Sequence, residues 1–105
     1  MAARYALTYE AERDVQLIRQ YYVEQAGAQV ARHVLGQFKK AFNLLASTPN
    51  AGHWRDDLTD AHVRFWPVLG YMIVYDPTTQ PIGIARVLHA SRDLESLFRA
   101  KPLRV

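Results

Sequence analysis

The sequence predicts an α+β fold in a single domain. Apolar residues recur at helical spacing from about residue 9 to residue 46, and from Val63 onward the pattern changes to short apolar runs separated by turn residues. At 105 residues, half of them apolar, the chain is long enough for one hydrophobic core and too short for two. We therefore expect one domain over residues 1–105, in which a helical hairpin precedes a three-stranded antiparallel meander.

Two helices are expected after a short first strand at residues 4–8. Thr8 is a suitable N-cap for the first helix, which should run to about Ala26 and end at Gly27. A second helix should follow at once over residues 28–46, and so short a link forces an antiparallel hairpin. The apolar stripes are Ala11, Val15, Ile18 and Tyr22 in the first helix, and Val30, Val34, Phe38, Ala41, Phe42 and Leu45 in the second.

The second half of the chain has the pattern of three strands. A polar loop over residues 49–61 should precede strands at residues 63–68, 71–75 and 82–89, with a tight turn near Leu69 and Gly70. Residues 71–75 show no polar alternation, so we expect this strand at the centre of the sheet with both faces covered. Ser91 should cap a last short helix whose apolar contacts are Leu94, Leu97 and Phe98.

The charge of the chain points to an anionic partner. The formal net charge is +3, and ten of the thirteen cationic residues are arginine. From Arg86 onward five cations face two carboxylates, which concentrates a net charge of +3 in that segment. Arginine is suited to bidentate contacts with carboxylate or phosphate, so this segment is a candidate binding surface.

The composition also indicates the compartment. Because the chain has no cysteine, it needs no oxidising environment and has no thiolate metal site. The longest apolar run, residues 65–75, is too short to span a membrane, and the N-terminus lacks a secretory signal pattern. We expect a soluble, unprocessed, cytoplasmic protein.

The order of motifs over about residues 4–95 resembles the ParE branch of the ParE and RelE toxin superfamily, the toxic half of type II toxin–antitoxin operons. No single motif is decisive, but their joint order and spacing cover most of the chain. The matching residues are Tyr9, Ala11, Asp14-Val15, Ile18, Tyr21 or Tyr22, Gly27, Phe42, Leu45, Pro49-x-x-Gly52-x-x-Arg55, Leu58, Arg64-x-x-Pro67-Val68, Tyr71-x-Ile73-x-Tyr75 and Arg86-Val87-Leu88-His89-x-x-Arg92-Asp93.

The resemblance implies a helical hairpin packed on a small twisted antiparallel sheet, in agreement with the periodicity. It also implies a cognate antitoxin of the ParD type, a ribbon-helix-helix protein whose disordered C-terminal half folds on the toxin as it binds. Such a segment needs an apolar groove to offset the entropy lost on ordering. The exposed aromatic candidates for antitoxin contact are Tyr5, Tyr21, Trp54 and Trp66.

The two branches of the superfamily act differently. The resemblance implies either a ribosome-dependent mRNA endonuclease, as in the RelE-like branch, or a poison of DNA gyrase that acts by binding, as in the ParE-like branch. Metal-free RNA cleavage needs cationic side chains around the phosphate and a proton donor. Met72 stands where RelE-like sequences have a catalytic arginine, and Phe98 stands where they have a tyrosine. The sequence therefore favours a binding inhibitor over an enzyme and calls for no cofactor.

Six residues are candidates for contact with the target: Arg55, Arg64, Arg86, His89, Arg92 and Arg99. A nuclease using Arg64, His89 and Arg92 is the alternative, because a histidine beside arginines can transfer protons near neutral pH. Structural interpretations are also open. Arg92 with Asp93 is then a surface ion pair, and Arg86 is a sheet arginine whose charged end finds a carboxylate.

Two further possibilities remain at this stage. The histidines and aspartates near His53 and His62 could suggest a metal, but they lie in a loop without the spacing of a helical ligand pair, so we expect no metal site. The chain could also be a basic module that binds nucleic acid or protein without being toxic.

Overall fold

The computed structural model describes residues 5–93. Its elements are β1 (Tyr5–Leu7), α1 (Tyr9–Ala26), α2 (Ala28–Ser47), a 3-10 helix (Pro49–Ala51), β2 (Arg64–Val68), β3 (Tyr71–Asp76) and β4 (Ile82–His89). The two predicted helices of the hairpin and the predicted strands are confirmed to within one residue at each end. The 3-10 helix was not predicted, since residues 49–61 were expected to be an irregular loop throughout.

The four strands form one mixed sheet in the order β1-β4-β3-β2. The last three strands make the predicted antiparallel meander, with Trp66 opposite Ile73 and Ile73 opposite Val87. β1 lies parallel to β4, with Leu7 opposite Ile84. A parallel pair is possible because the helical hairpin provides the long crossover that such a pair requires. The predicted fold class, a helical hairpin on a small sheet, is confirmed, but the sheet was expected to be antiparallel and the parallel pairing of β1 with β4 makes it mixed.

Apolar side chains cover both faces of the sheet. Tyr71, Ile73 and Tyr75 of β3 belong to the main core, which the helices cover. Val74 belongs to a smaller cluster on the other face, together with Val63, Phe65 and Leu88. β3 is therefore buried on both sides, as its uninterrupted apolar sequence predicts.

Capping and turn residues begin and end the helices and strands at the predicted positions. The Thr8 hydroxyl accepts a hydrogen bond of 3.1 Å from the N–H of Ala11, which is the expected N-cap of α1. Gly27, between the helices, has a φ of +93°, a conformation that glycine adopts without steric cost. Leu69 and Gly70 both have positive φ, +52° and +81°, as in the two-residue turns that match the twist of a hairpin.

The chain turns after β4, over residues 91–93. The rest of the predicted last helix, with Leu94, Leu97 and Phe98, lies outside the described residues, and so does Arg99. Neither α1 nor α2 is apolar enough over its length to cross a lipid bilayer.

Candidate functional site

A groove of about 500 Å³ lies between α1 and the C-terminal end of β4. Side chains of α1 line one side, the last residues of β4 and the following turn line the other, and Tyr71 of β3 contributes between them. The groove brings together Tyr21, Arg86, His89 and Arg92, four of the residues that the sequence singled out. The full lining consists of Asp14, Leu17, Ile18, Tyr21, Tyr22, Tyr71, residues 86–89, Arg92 and Asp93.

Within this groove, the charge of Arg86 is balanced by Asp14. The guanidinium donates from Nε and Nη2 to the two carboxylate oxygens of Asp14, at 2.8 and 3.0 Å, and the N–H of Val87 donates to the same carboxylate at 2.9 Å. The hydrogen bonds that Arg86 donates to Asp14 raise the pKa of Arg86 above its ordinary value. Because β1 ends at Leu7, Asp14 also occupies the edge of β4 where a neighbouring strand is missing. The pair joins α1 to β4.

His89 presents a defined tautomer to the groove. Its Nδ1 accepts a hydrogen bond of 3.1 Å from the N–H of Arg92 and lies 3.3 Å from the Ser91 hydroxyl. Because a backbone N–H can only donate, the neutral imidazole carries its proton on Nε2. The ring packs edge-on against Tyr71, with 5.5 Å between centroids. Burial, followed by a hydrogen bond with Tyr22, raises the pKa of Tyr71 to about 12, so this phenol is neutral at physiological pH.

Arg92 is the accessible cation of the groove. Its side chain is 69% exposed, and its one ion-pair contact within residues 5–93 runs from Nε to the carboxylate of Asp93 at 3.3 Å. On the opposite side, Leu17 and Tyr21 are 52% and 53% exposed, large fractions for apolar side chains. An exposed guanidinium therefore stands across from an exposed apolar surface.

Arg64 and Trp54 lie together at a different place, beside the 3-10 helix. The guanidinium carbon of Arg64 lies 4.3 Å from the centroid of the Trp54 ring, within the range of a cation–π contact. Its Nη1 donates to the carbonyl of Gly52 at 2.7 Å and to that of Asn50 at 3.3 Å. Its Nε is buried without a hydrogen-bond partner among the described residues. Arg64 therefore fastens the loop to β2, and half of Trp54 remains exposed.

Tyr75 fastens the same loop from the other side. Its hydroxyl donates to the carbonyl of Pro49 at 2.6 Å and accepts from the N–H of Gly52 at 2.8 Å. A Cβ at Gly52 would lie 2.6 Å from that hydroxyl, so only glycine fits there. Burial raises the pKa of Tyr75, which favours the neutral phenol that donates. We call these five residues, Pro49, Gly52, Trp54, Arg64 and Tyr75, the Tyr75 corner.

Three other candidates lie away from the groove. The Arg55 guanidinium forms hydrogen bonds of 2.9 and 2.7 Å with Asp57 and holds the pKa of that carboxyl below its usual value. Tyr5 packs on Phe42 of α2 with 5.2 Å between ring centroids, and Trp66 is half-buried against the main core. Contact of Arg55, Tyr5 or Trp66 with a partner stays a prediction.

The residues of the nuclease alternative lie at two places. His89 is opposite Tyr71 at one end of β3, whereas Arg64 is opposite Tyr75 near the other end. Four residues of strand correspond to about 13 Å, and the two partner strands flank β3 on opposite sides. Met72, at the position of the RelE-type arginine, packs against the smaller core cluster.

The loop that could have suggested a metal is held by its own backbone. His53 and Phe65 exchange two backbone hydrogen bonds of 2.8 Å, which attaches the loop to the outer edge of β2. Within residues 5–93, no three histidine or carboxylate side chains are grouped closely enough to hold a metal ion.

Asp14 is a residue of the groove whose role the sequence pattern did not reveal. It lies on α1 between the buried residues Ala11 and Ile18. A carboxylate beside a buried stripe must find a partner, because burial of an unpaired charge is costly. Arg86, the one cation of the apolar strand β4, was the available partner, so the two could have been matched by charge.

The family model for the ParE toxin of the type II toxin–antitoxin system parDE matches residues 5–94, which include both sides of the groove and the Tyr75 corner. No curated protein matches the chain. Among solved structures, a chain from the chromosomal ParDE toxin–antitoxin system of P. aeruginosa is similar, with a TM-score of 0.72 and 19% sequence identity. The alignment covers 84% of this chain and 96% of that one. At this identity the similarity concerns the fold.

Proposed function

Since the chain belongs to the ParE toxin family of type II toxin–antitoxin systems, we propose that it is a toxin that inhibits DNA gyrase by binding to it, and that a ParD-like ribbon-helix-helix antitoxin neutralises it. Both partners are cytoplasmic in this proposal, and so is the toxin. Its contacts with gyrase centre on the groove, through His89 and Arg92.

The observation that carries this proposal is the number of available cations in the groove. Cleavage of a phosphodiester without a metal needs several cationic groups around the phosphate, since charge accumulates in the transition state. Arg86 is balanced by Asp14, Tyr71 is neutral, and among the described arginines that line the groove Arg92 alone has a mostly exposed side chain. One guanidinium is enough to bind a partner and too few for that chemistry.

The Tyr75 corner supplies a second candidate contact with gyrase. Trp54 is 47% exposed and is held in place by the stacked Arg64 guanidinium. A large aromatic side chain that is fixed before binding loses little entropy when a partner covers it, which is the usual character of an energetic centre in an interface.

The test is a supercoiling reaction with purified protein, DNA gyrase and relaxed plasmid. We expect inhibition at toxin concentrations comparable to those of gyrase, or accumulation of cleaved plasmid. An Arg92→Gln variant should need about tenfold more protein for the same effect, since a charged hydrogen bond is lost.

Lys39→Gln is the matched control, because it removes the same charge from an exposed position of α2 outside the groove. It should inhibit as the wild type does. Unchanged supercoiling and no cleaved plasmid, at intracellular toxin concentrations that stop growth, would show that gyrase is not the target.

A further inference from the structure

We propose that the groove recognises one carboxylate of the antitoxin, on a segment whose apolar side chains cover Leu17 and Tyr21. The carboxylate is bound by the guanidinium of Arg92 and by the Nε2–H of His89. This inference rests on the function proposed above and specifies the chemistry by which the antitoxin is held.

The charges around the groove favour a single carboxylate over a polyanion. Arg86 and Arg92 contribute two positive charges, and Asp14 and Asp93 contribute two negative ones, so the lining is neutral when His89 is neutral. A nucleic acid brings one phosphate per nucleotide and would meet both carboxylates. A single acidic side chain can approach Arg92 alone.

Arg92 has donors left for this contact. Its Nε donates to the carboxylate of Asp93 at 3.3 Å, and within residues 5–93 neither terminal nitrogen of the guanidinium has a hydrogen-bond partner. Those two nitrogens form one side of the planar fork that binds a carboxylate bidentately. By contrast, Arg86 already uses Nε and Nη2 on Asp14.

His89 adds a second donor, its Nε2–H. Its Nδ1 is occupied by the N–H of Arg92, so the proton is on Nε2. The same hydrogen bond fixes the imidazole next to the residue that carries the cation, and Tyr71 packs against the ring. A carboxylate bound by the guanidinium can therefore also accept from a ring whose orientation is already fixed.

The apolar side of the groove determines which kind of antitoxin segment can carry the carboxylate. Leu17 and Tyr21 lie one helical turn apart on α1 and are each about half exposed. The volume of about 500 Å³ accommodates a few side chains rather than a folded domain. The matching occupant is a short amphipathic segment with one acidic residue.

This segment must bind through side chains and not as an added strand of the sheet. Along the groove, the N–H of Val87 on the edge of β4 donates to the carboxylate of Asp14 at 2.9 Å. The N–H of His89 faces Asp93 at 3.4 Å. These carboxylates close the edge of β4 to another backbone. An antitoxin seated there also covers Arg92, so it excludes gyrase by occupying the same donors.

The test uses the full chain and its cognate antitoxin, a ribbon-helix-helix protein that we expect to be encoded beside its gene, with affinity measured by titration calorimetry. Arg92→Gln should weaken binding about 10- to 100-fold, as expected for a lost charged hydrogen bond. His89→Asn retains an acceptor near Nδ1 and loses the Nε2 donor, whereas His89→Gln retains a donor near Nε2. We expect the asparagine variant to bind more weakly than the glutamine variant. Lys39→Gln should bind like the wild type.

A double-mutant cycle identifies the carboxylate. Each Asp and Glu in the C-terminal half of the antitoxin is changed in turn to its amide, against wild-type toxin and against Arg92→Gln. One position should weaken binding to the wild type and have little effect on the variant.

Three results would overturn the inference. If the neighbouring protein does not bind at all, the proposed function fails as well. If it binds and Arg92→Gln, verified as folded by circular dichroism, binds equally tightly, only the carboxylate site fails. If the toxin alone sediments as a dimer that Leu17→Ser dissociates, the groove is a contact between two copies of the chain.

Discussion

The two ends of β3 each carry a buried tyrosine beside an arginine, but the surrounding polar groups are used differently. At the Tyr75 corner, the tyrosine hydroxyl and the Arg64 guanidinium both bind backbone groups of the 3-10 helix or of Gly52, which follows it. At the groove, Tyr71 is buried in the same way, whereas Arg92 projects into solvent. At the corner, the polar side chains bind backbone groups of the same chain. At the groove, donors of the Arg92 guanidinium remain available for a partner.

This difference shows that arginine content alone does not locate a binding surface. Four of the five arginines proposed for target contact are among the described residues. Arg55, Arg64 and Arg86 each bind a carboxylate or carbonyls of their own chain with at least one hydrogen bond of 2.8 Å or less. In the part of the chain that the structure describes, the Arg92 guanidinium has one such contact, at 3.3 Å. The groove is therefore the end of β3 at which a partner gains most from a charged contact.

The largest effect on stability is expected where the groove is joined to the sheet. Asp14→Ala leaves the guanidinium of Arg86 and the N–H of Val87 without their acceptor in a largely buried position. Removing one partner of such a pair costs about 3 kcal/mol. Urea denaturation should show this loss in the free energy of unfolding. Glu12→Ala, an exposed acidic residue of the same helix, should change it little, and equal losses in the two variants would contradict the assignment.

A smaller loss is expected at the other end of β3. Tyr75→Phe removes the hydroxyl that donates to Pro49 and accepts from Gly52, leaving two partly or fully buried groups unpaired. The expected cost is about 2 kcal/mol. Tyr9→Phe, whose hydroxyl belongs to a side chain that is 74% exposed, is the control and should be neutral. A neutral Tyr75→Phe would mean that water replaces the hydroxyl at the corner.

Local features of the fold were predictable from the sequence. The Thr8 cap, the break at Gly27 and the turn at Leu69 and Gly70 each depend on a few neighbouring residues, and all three were predicted at the observed positions. The central position of β3 followed from its uninterrupted apolar run. These signals are local, so the sequence shows them directly.

Contacts between distant parts of the chain were not predictable in the same way. The pairing of β1 with β4, the Asp14–Arg86 pair and the bond from Tyr75 to Gly52 join residues that are 23 to 77 positions apart. Nothing in the neighbouring sequence specifies such a partner. As a result, Arg86 had two interpretations before the structure, and the pattern did not indicate which arginines would lie together in a groove.

The stability of the folded chain should also depend on pH through Tyr71. The pKa of Tyr71 is about 12 in the folded chain and about 10 in an unfolded chain. Below pH 10 both states hold the proton, so Tyr71 makes its full contribution to the free energy of unfolding. Between pH 10 and 12 the unfolded state releases the proton while the folded state retains it, so stability falls as pH rises.

Urea midpoints at pH 9, 10 and 11 measure this dependence. Tyr71→Phe has no proton to release at this position and should lose less stability than the wild type over the same interval. Tyr75, at the other end of β3, contributes equally to both curves. Parallel curves for the two proteins would show that the pKa of Tyr71 is not raised and that its hydroxyl is accessible to water at the base of the groove.

The smallest effect on stability is expected for Arg92→Gln, and its size distinguishes the two ends of β3. The pair with Asp93 is exposed on both sides, 69% and 42%, and such surface substitutions usually change the free energy of unfolding by no more than about 0.5 kcal/mol. Arg64→Gln removes hydrogen bonds to two carbonyls and the stacking on Trp54, so it should be clearly more destabilising in the same urea titration. If Arg92→Gln were equally destabilising, Arg92 would be a structural arginine like Arg64. The near-neutral result leaves the charge of Arg92 available for a partner, because the fold does not depend on it.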